Sequence, residues 1–218
     1  MAAAISDPRF VIVEASRRLE MLGLNLGTAG NVSIRFGDHY LITPTGVHPQ
    51  KLTRDGIAEL SLDGSLISGD LKPSSEWFFH SAIYAERVEA QAIVHLHSPY
   101  ATALASVHRE IPAFHYMVAV AGGDSIRCAP YATFGSPVLA GYVLDALQRR
   151  KACLLANHGQ LSFGRDLEEA VELARWVEEL ARQYWIALQV GDPVILSTSD
   201  MEEVIEKFET YGQLPVTD

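Results

Sequence analysis

The chain has 218 residues, 48% of them hydrophobic and 20% charged, with 27 acidic against 17 basic side chains and a formal net charge of −10. That is a globular composition, long enough to bury a full core as one domain over residues 1–218, and it lacks the low-hydrophobicity, high-charge signature of disorder. The acidic excess, with no basic cluster, excludes nucleic acid and anionic membranes as expected partners. The longest apolar runs, residues 117–121 and 152–156, fall well short of the roughly 20 residues a bilayer span needs. The start of the chain carries no basic segment leading into an apolar one, and Cys128 and Cys153 offer no disulfide framework, so the expected compartment is the cytoplasm.

Asp7 and Pro8 open a predicted helix over residues 8–22, with Phe10, Val13, Leu19 and Leu22 at helical spacing and Gly23 as its stop. A Gly-bearing loop, 26–30, leads into alternating Val32, Ile34 and Phe36, a Gly37-Asp38 turn and a second strand over 40–43, the pattern of a hairpin. Residues 44–69 are broken by Pro, Gly and Asp and read as loops with short strands. Ser74 and Ser75 stand at the start of a helix through Phe78, Ile83 and Tyr84. Residues 92–97 form a buried strand, 99–106 a helix, 111–134 an irregular stretch, 139–150 a helix and 152–156 a strand ending in Asn157-His158-Gly159. Asp166 caps a long helix carrying Leu167, Val171, Ala174, Val177, Ala181, Tyr184 and Leu188, on which Trp176 and Trp185 read as core. A Ser199/Glu202 capping box starts the last helix, stopped by Gly212. Strands interleaved with helices indicate an α/β domain.

Chemistry concentrates in the histidines. His95 and His97 lie two apart on a strand, where alternate side chains share a face, so both imidazoles can reach one metal; an isolated pair serves equally well as a hydrogen-bonded strand face. His158, at the end of another apolar strand, can complete a three-histidine set with an open position, which suits a divalent Lewis acid such as zinc without selecting among metals. Lys72-Pro73-Ser74-Ser75-Glu76 offers hydroxyls and N–H groups at a helix start, either an anion site or a plain cap, and Glu76 beside a metal is a candidate general base. Gly27-Thr28-Ala29-Gly30-Asn31 and Thr43-Pro44-Thr45-Gly46 are turns whose neutral donors can hold a phosphate, and neither is a nucleotide fingerprint.

These segments in this order resemble the class II aldolase and adducin-head family. The resemblance rests on Thr28-Ala29-Gly30-Asn31-Val32-Ser33, Thr43-Pro44-Thr45-Gly46, Lys72-Pro73-Ser74-Ser75-Glu76, His95-Leu96-His97-Ser98 and Asn157-His158-Gly159. It extends to residues 111–117, 128–135, 206–208 and 210–212 and so covers nearly the whole chain. Asn157 departs from the pattern, in which Gln or His precedes the ligand histidine. The resemblance implies an α/β/α sandwich around a mixed, mainly antiparallel sheet, and a zinc ion (or Mn2+ or Co2+) on His95, His97 and His158. Glu76 is then the acid/base, itself on the metal when no substrate is bound. Thr28, Asn31, Thr45, Gly46, Ser74 and Ser75 match the phosphate-binding positions, and Phe134 and Tyr211 the aldehyde end. Tyr116 matches a tyrosine reaching the site from a neighbouring subunit of a cyclic homotetramer.

The implied reaction is reversible cleavage of a ketose 1-phosphate, either L-fuculose 1-phosphate or a 5-deoxy- or 5-methylthio-pentulose 1-phosphate, to dihydroxyacetone phosphate and a small aldehyde through a zinc-stabilised enediolate. Sugar-phosphate dehydratases, decarboxylases and 4-epimerases resemble the same family and share the histidines. The epimerases carry Asp where this chain has Glu76. A non-catalytic adducin-like scaffold needs neither the metal nor the base, whereas all four residues are present here.

Overall fold

A computed structural model describes residues 7–210. Eight strands form one sheet: β1 (Asn31–Phe36), β2 (His39–Ile42), β3 (Ala58–Ser61), β4 (Leu66–Ser68), β5 (Ala92–Leu96), β6 (Cys128–Ala129), β7 (Ala152–Leu155) and β8 (Gly159–Gly164). Their order is β4-β3-β2-β1-β5-β8-β7-β6, antiparallel throughout except for the β6–β7 pair. The six helices are α1 (Pro8–Met21), α2 (Trp77–Glu86), α3 (Pro99–Ser106), α4 (Pro137–Ala146), α5 (Leu167–Val190) and α6 (Thr198–Thr210).

On one face, Phe79, Ile83 and Tyr84 of α2 and Leu139 and Val143 of α4 pack on Tyr40, Ile93, Leu161 and Phe163. On the other, α1 and α5 bury Ile12, Leu19, Val171 and Ala174 against Val32, Leu41, Val94 and Leu96, while α3 and α5 cover Ala152 and Leu154. The result is the α/β/α sandwich around a mixed, mainly antiparallel sheet. Strands β5, β7 and β8 are buried at every position, as expected where both faces are covered. Each such Val, Leu or Ile contributes about 1.5–3 kcal/mol by leaving water.

Several sequence readings need correction. Ser74 and Ser75 precede helix α2 as the sequence indicates, but the cap is Glu76, the helix begins at Trp77, and the Ser74 hydroxyl already takes the Glu76 N–H at 3.3 Å. Helix α4 starts at Pro137, where Ser136 caps Leu139, and ends at Ala146. The last helix starts one residue before Ser199, with a reciprocal cap between Ser197 and Asp200 in place of the Ser199/Glu202 box. Strand β8 was not foreseen. Its Gln160 and Ser162 are buried because α5 presents carbonyls to them, Ala174 O and Ala170 O. Trp176 and Trp185 are 37% and 43% exposed, so only Tyr184 of that aromatic trio is core. Gly212 lies outside the described residues. Among the described residues, no helix is long and apolar enough to cross a membrane.

A candidate metal centre at a hydroxyl-lined cleft

Strand register assembles the site. Asn31 of β1 pairs with His95 of β5, and Leu96 pairs with Gln160 of β8. The chain leaving β5 therefore carries His97 alongside the chain entering β8, which carries His158. From above these strand ends, Glu76 at the start of α2 descends onto the imidazoles. Gly159 permits the approach: a Cβ there would stand 2.3 Å from Leu96 O and 2.9 Å from the His97 ring.

Ligating atoms of Glu76, His95, His97 and His158 all lie within 4.8 Å of one another. His95 Nε2 is 3.1 Å from His97 Nε2 and 3.2 Å from Glu76 Oε2, and His158 Nε2 is 3.1 Å from Glu76 Oε1. Around an ion with bonds near 2.0–2.1 Å, the edge of a ligand tetrahedron is roughly 3.3 Å. The spacing therefore fits one divalent ion. His95 donates from Nδ1 to the Gln160 carbonyl at 2.8 Å, which leaves its Nε2 lone pair directed at the cluster. Glu76 Oε1 is buried with only the His158 imidazole nitrogen beside it, an acceptor that a cation would satisfy.

The electrostatics agree. Burial pushes the Glu76 carboxyl up, but its coupling to the His95 and His158 imidazoles beside it overcomes that, and the group is held well below the usual carboxylate range. Burial, followed by the charges of His95 and His158, lowers His97 to about 4 against the opposing pull of Glu76. At neutral pH the cluster is thus an ionised carboxylate beside an unprotonated imidazole, which is the donor chemistry of a metal site.

The histidine–carboxylate cluster opens into a cleft of about 380 Å³, lined by Thr28, Thr45, Gly46 and Ser75 on one side and by Tyr131, Ala132 and Phe134 on another. The hydroxyl loops are tied together by Thr45 N–H to Lys72 O and Ser74 N–H to Thr43 O, each at 3.0 Å. Ser74 and Asn31 are buried behind them, and Asn31 Nδ2 donates to Glu76 Oε2 at 2.9 Å. Tyr116 is 51% exposed at the start of a 3-10 segment (Tyr116–Ala121), stacked on His115, and neither residue lines the cleft of its own chain. Tyr211 lies outside the described residues. A larger depression, about 680 Å³ between α1 and α5, holds no comparable donor set.

Residues 11–185 match the sequence model of the family described as "Class II Aldolase and Adducin N-terminal domain". The chain belongs to that family. Among its curated relatives in the class II aldolase family, a 5-methylthioribulose-1-phosphate/5-deoxyribulose-1-phosphate aldolase of Rhodospirillum rubrum is 51% identical over 95% of both chains. An L-fuculose phosphate aldolase of Escherichia coli K12 is 49% identical over 92% of this chain and 94% of that one. A solved L-fuculose 1-phosphate aldolase superposes with a TM-score of 0.91 at 37% identity, covering 94% and 98% of the two chains.

Within this class II aldolase chain, the departure at Asn157 has a structural reason. Its φ is +53°, a left-handed conformation that Asn tolerates better than most residues. Its side chain is 2.5 Å from His108 Nε2 and donates to Ser106 O at 3.3 Å, fixing the approach to His158 on the end of α3. The sequence reading assigned no role to His80, although it lies one helical turn after Glu76. Its Nε2 is 2.6 Å from the Asn31 carboxamide oxygen.

Proposed function

We propose that this class II aldolase, a lyase, cleaves a ketose 1-phosphate between C3 and C4 to dihydroxyacetone phosphate and a small aldehyde. The favoured substrates are a 5-deoxy- or 5-methylthio-pentulose 1-phosphate or L-fuculose 1-phosphate. The observation that carries the reading is a buried, ionised Glu76 set among three imidazoles at the floor of a cleft with hydroxyls on one wall and aromatics on another.

His95, His97 and His158 would hold zinc, which when bound supplies a Lewis acid for the negative charge that cleavage leaves on the three-carbon fragment. Thr28, Thr45, Gly46 and Ser75 hold the phosphate with neutral donors, Ser74 and Asn31 bracing them from behind. This grip fixes the reacting carbons and excludes unproductive poses. Glu76 transfers the proton at C3, returning it to the fragment after cleavage and removing it in synthesis. Tyr131, Ala132 and Phe134 give the aldehyde an apolar seat, to which Tyr211 belongs on family grounds. Tyr116, exposed and outside its own cleft, serves the C4 hydroxyl of a neighbouring subunit, which makes the enzyme a homotetramer with sites at subunit interfaces. Its compartment is the cytoplasm.

The test is a panel of ketose 1-phosphates with release of dihydroxyacetone phosphate as the readout. Turnover of a 5-deoxy, 5-methylthio or 6-deoxy ketose 1-phosphate, lost on chelation and recovered with zinc, is expected. No release from any of them overturns the reading.

A further inference from the structure

Beneath the cleft runs a hydrogen-bonded chain of buried side chains whose direction is fixed from one end. The Asn31 carboxamide presents its NH2 to Glu76 Oε2 at 2.9 Å, which fixes which way round it sits. The Asn31 carbonyl then faces His80 Nε2 at 2.6 Å, and that nitrogen must carry the hydrogen. His80 Nδ1 is left as an acceptor for the Ser33 hydroxyl at 2.7 Å, and the Ser33 oxygen takes the Tyr84 phenol at 2.8 Å. His80 and Ser33 are completely buried and Tyr84 and Asn31 nearly so, cut off from bulk solvent.

We propose that His80 is a positioning residue for the acid/base Glu76, its Nε2–H locking the Asn31 carboxamide in the one orientation that donates to the carboxylate. The proposal rests on the base reading of Glu76 given above. A packing role would be met by any side chain of similar volume; the lock needs a donor at one ring position. Without that donor, Asn31 can turn over at little cost and set its carbonyl oxygen against Glu76, driving the carboxylate from its place beside C3. Burial, and behind it the His95 charge, lowers the His80 pKa to about 3 against the pull of Glu76, so the ring is neutral and holds a single tautomer at working pH.

Ring spectra and variant kinetics on the full-length enzyme decide the matter. Ring 15N spectra of the metal-free, histidine-labelled protein should show His80 protonated at Nε2; a proton on Nδ1, or an imidazolium, overturns the proposal. His80→Phe should lower kcat roughly 10–100-fold with KM within about threefold and metal content unchanged, because a misplaced catalytic group costs on the order of 10²-fold in rate. His80→Gln, which keeps an N–H donor, should recover most of that loss. Asn31→Ala should lose as much as His80→Phe, and the double variant should be no worse than either. Full kcat in His80→Phe, or additive losses in the double variant, overturns the lock. If His80→Phe does not fold, the ring spectrum and His80→Gln decide: an Nε2–H ring with Gln near parental kcat supports the lock, and a Gln variant as impaired as Asn31→Ala overturns it. Glu76→Gln separates the two readings. If it still exchanges the C3 proton, the base assignment falls; if it is inactive while His80→Phe is fully active, only the lock falls.

Discussion

A Cβ placed on Gly159 would lie 2.3 Å from the carbonyl oxygen of Leu96, well inside any real carbon–oxygen contact. The obstacle is backbone in the middle of the sheet, so it cannot swing aside. Gly159→Ala should therefore part the ends of β5 and β8 where His97 and His158 emerge, costing on the order of 1–3 kcal/mol in stability. Metal affinity should fall at least tenfold, read by titration of the metal-free protein alongside a denaturant melt. Parental metal affinity would show that the two strand ends do not depend on this contact.

Glu76, His95, His97 and His158 form a cluster that could hold an ion, and an ion bound there would link metal binding to folding. Saturating the apo protein at about 100 times Kd should add roughly 2.7 kcal/mol, a rise in Tm on the order of 5–10 °C for a chain of this size. Chelation should remove the rise, and His97→Ala should abolish it while leaving an ordinary melt. A Tm indifferent to divalent ions would mean that the cluster in the apo state is held by hydrogen bonds alone.

How much of this was legible beforehand varies with the physics of each residue. The His-Leu-His pair and the Asn-His-Gly turn were readable because a strand's period of two and a strand end both place ligands without tertiary information. The partnership of the sheet strands was not, since register between β5 and β8 is set by covering both faces and not by local pattern. Polar residues misled most. Asn31 and Ser33 alternate with apolar neighbours as an exposed strand face would, yet both are buried, because α2 brings His80 and Tyr84 to satisfy them. The i,i+4 spacing of Glu76 and His80 was visible in the sequence. It acquires meaning only once β1 slides Asn31 between them.

Acid should weaken the apo protein partly through His80. Its pKa moves from 6.5 in the unfolded chain to about 3 in the native one, driven first by burial and then by the charge of His95. Between those values the unfolded chain binds a proton that the native protein does not. The contribution is fully present above about pH 6.5 and is lost as the pH falls towards 3. Because His80→Gln carries no such proton, its Tm should fall less than that of the parent between pH 6.5 and 4, as measured by calorimetry on both metal-free proteins. Parallel curves would count against a neutral, buried His80.

Tyr116 and Glu76 provide the sharpest test of where one active site ends and the next begins. Each single variant, Tyr116→Phe and Glu76→Gln, should lose about 10²–10⁴-fold in turnover, the usual range for a missing acid or base. If Tyr116 serves the cleft of a neighbour, the two defects lie on different chains of each site and complement one another. In a ring assembled from equal amounts of the two variants, a site is intact when a Tyr116→Phe chain supplies Glu76 and its neighbour, a Glu76→Gln chain, supplies Tyr116. That pairing occurs at roughly a quarter of the sites in a randomly mixed ring, so unfolding and reassembling the mixture should restore about a quarter of the parental rate. If Tyr116 instead reached the cleft of its own chain, every site in the mixture would carry one defect or the other, and the rate would stay at the level of the separate variants.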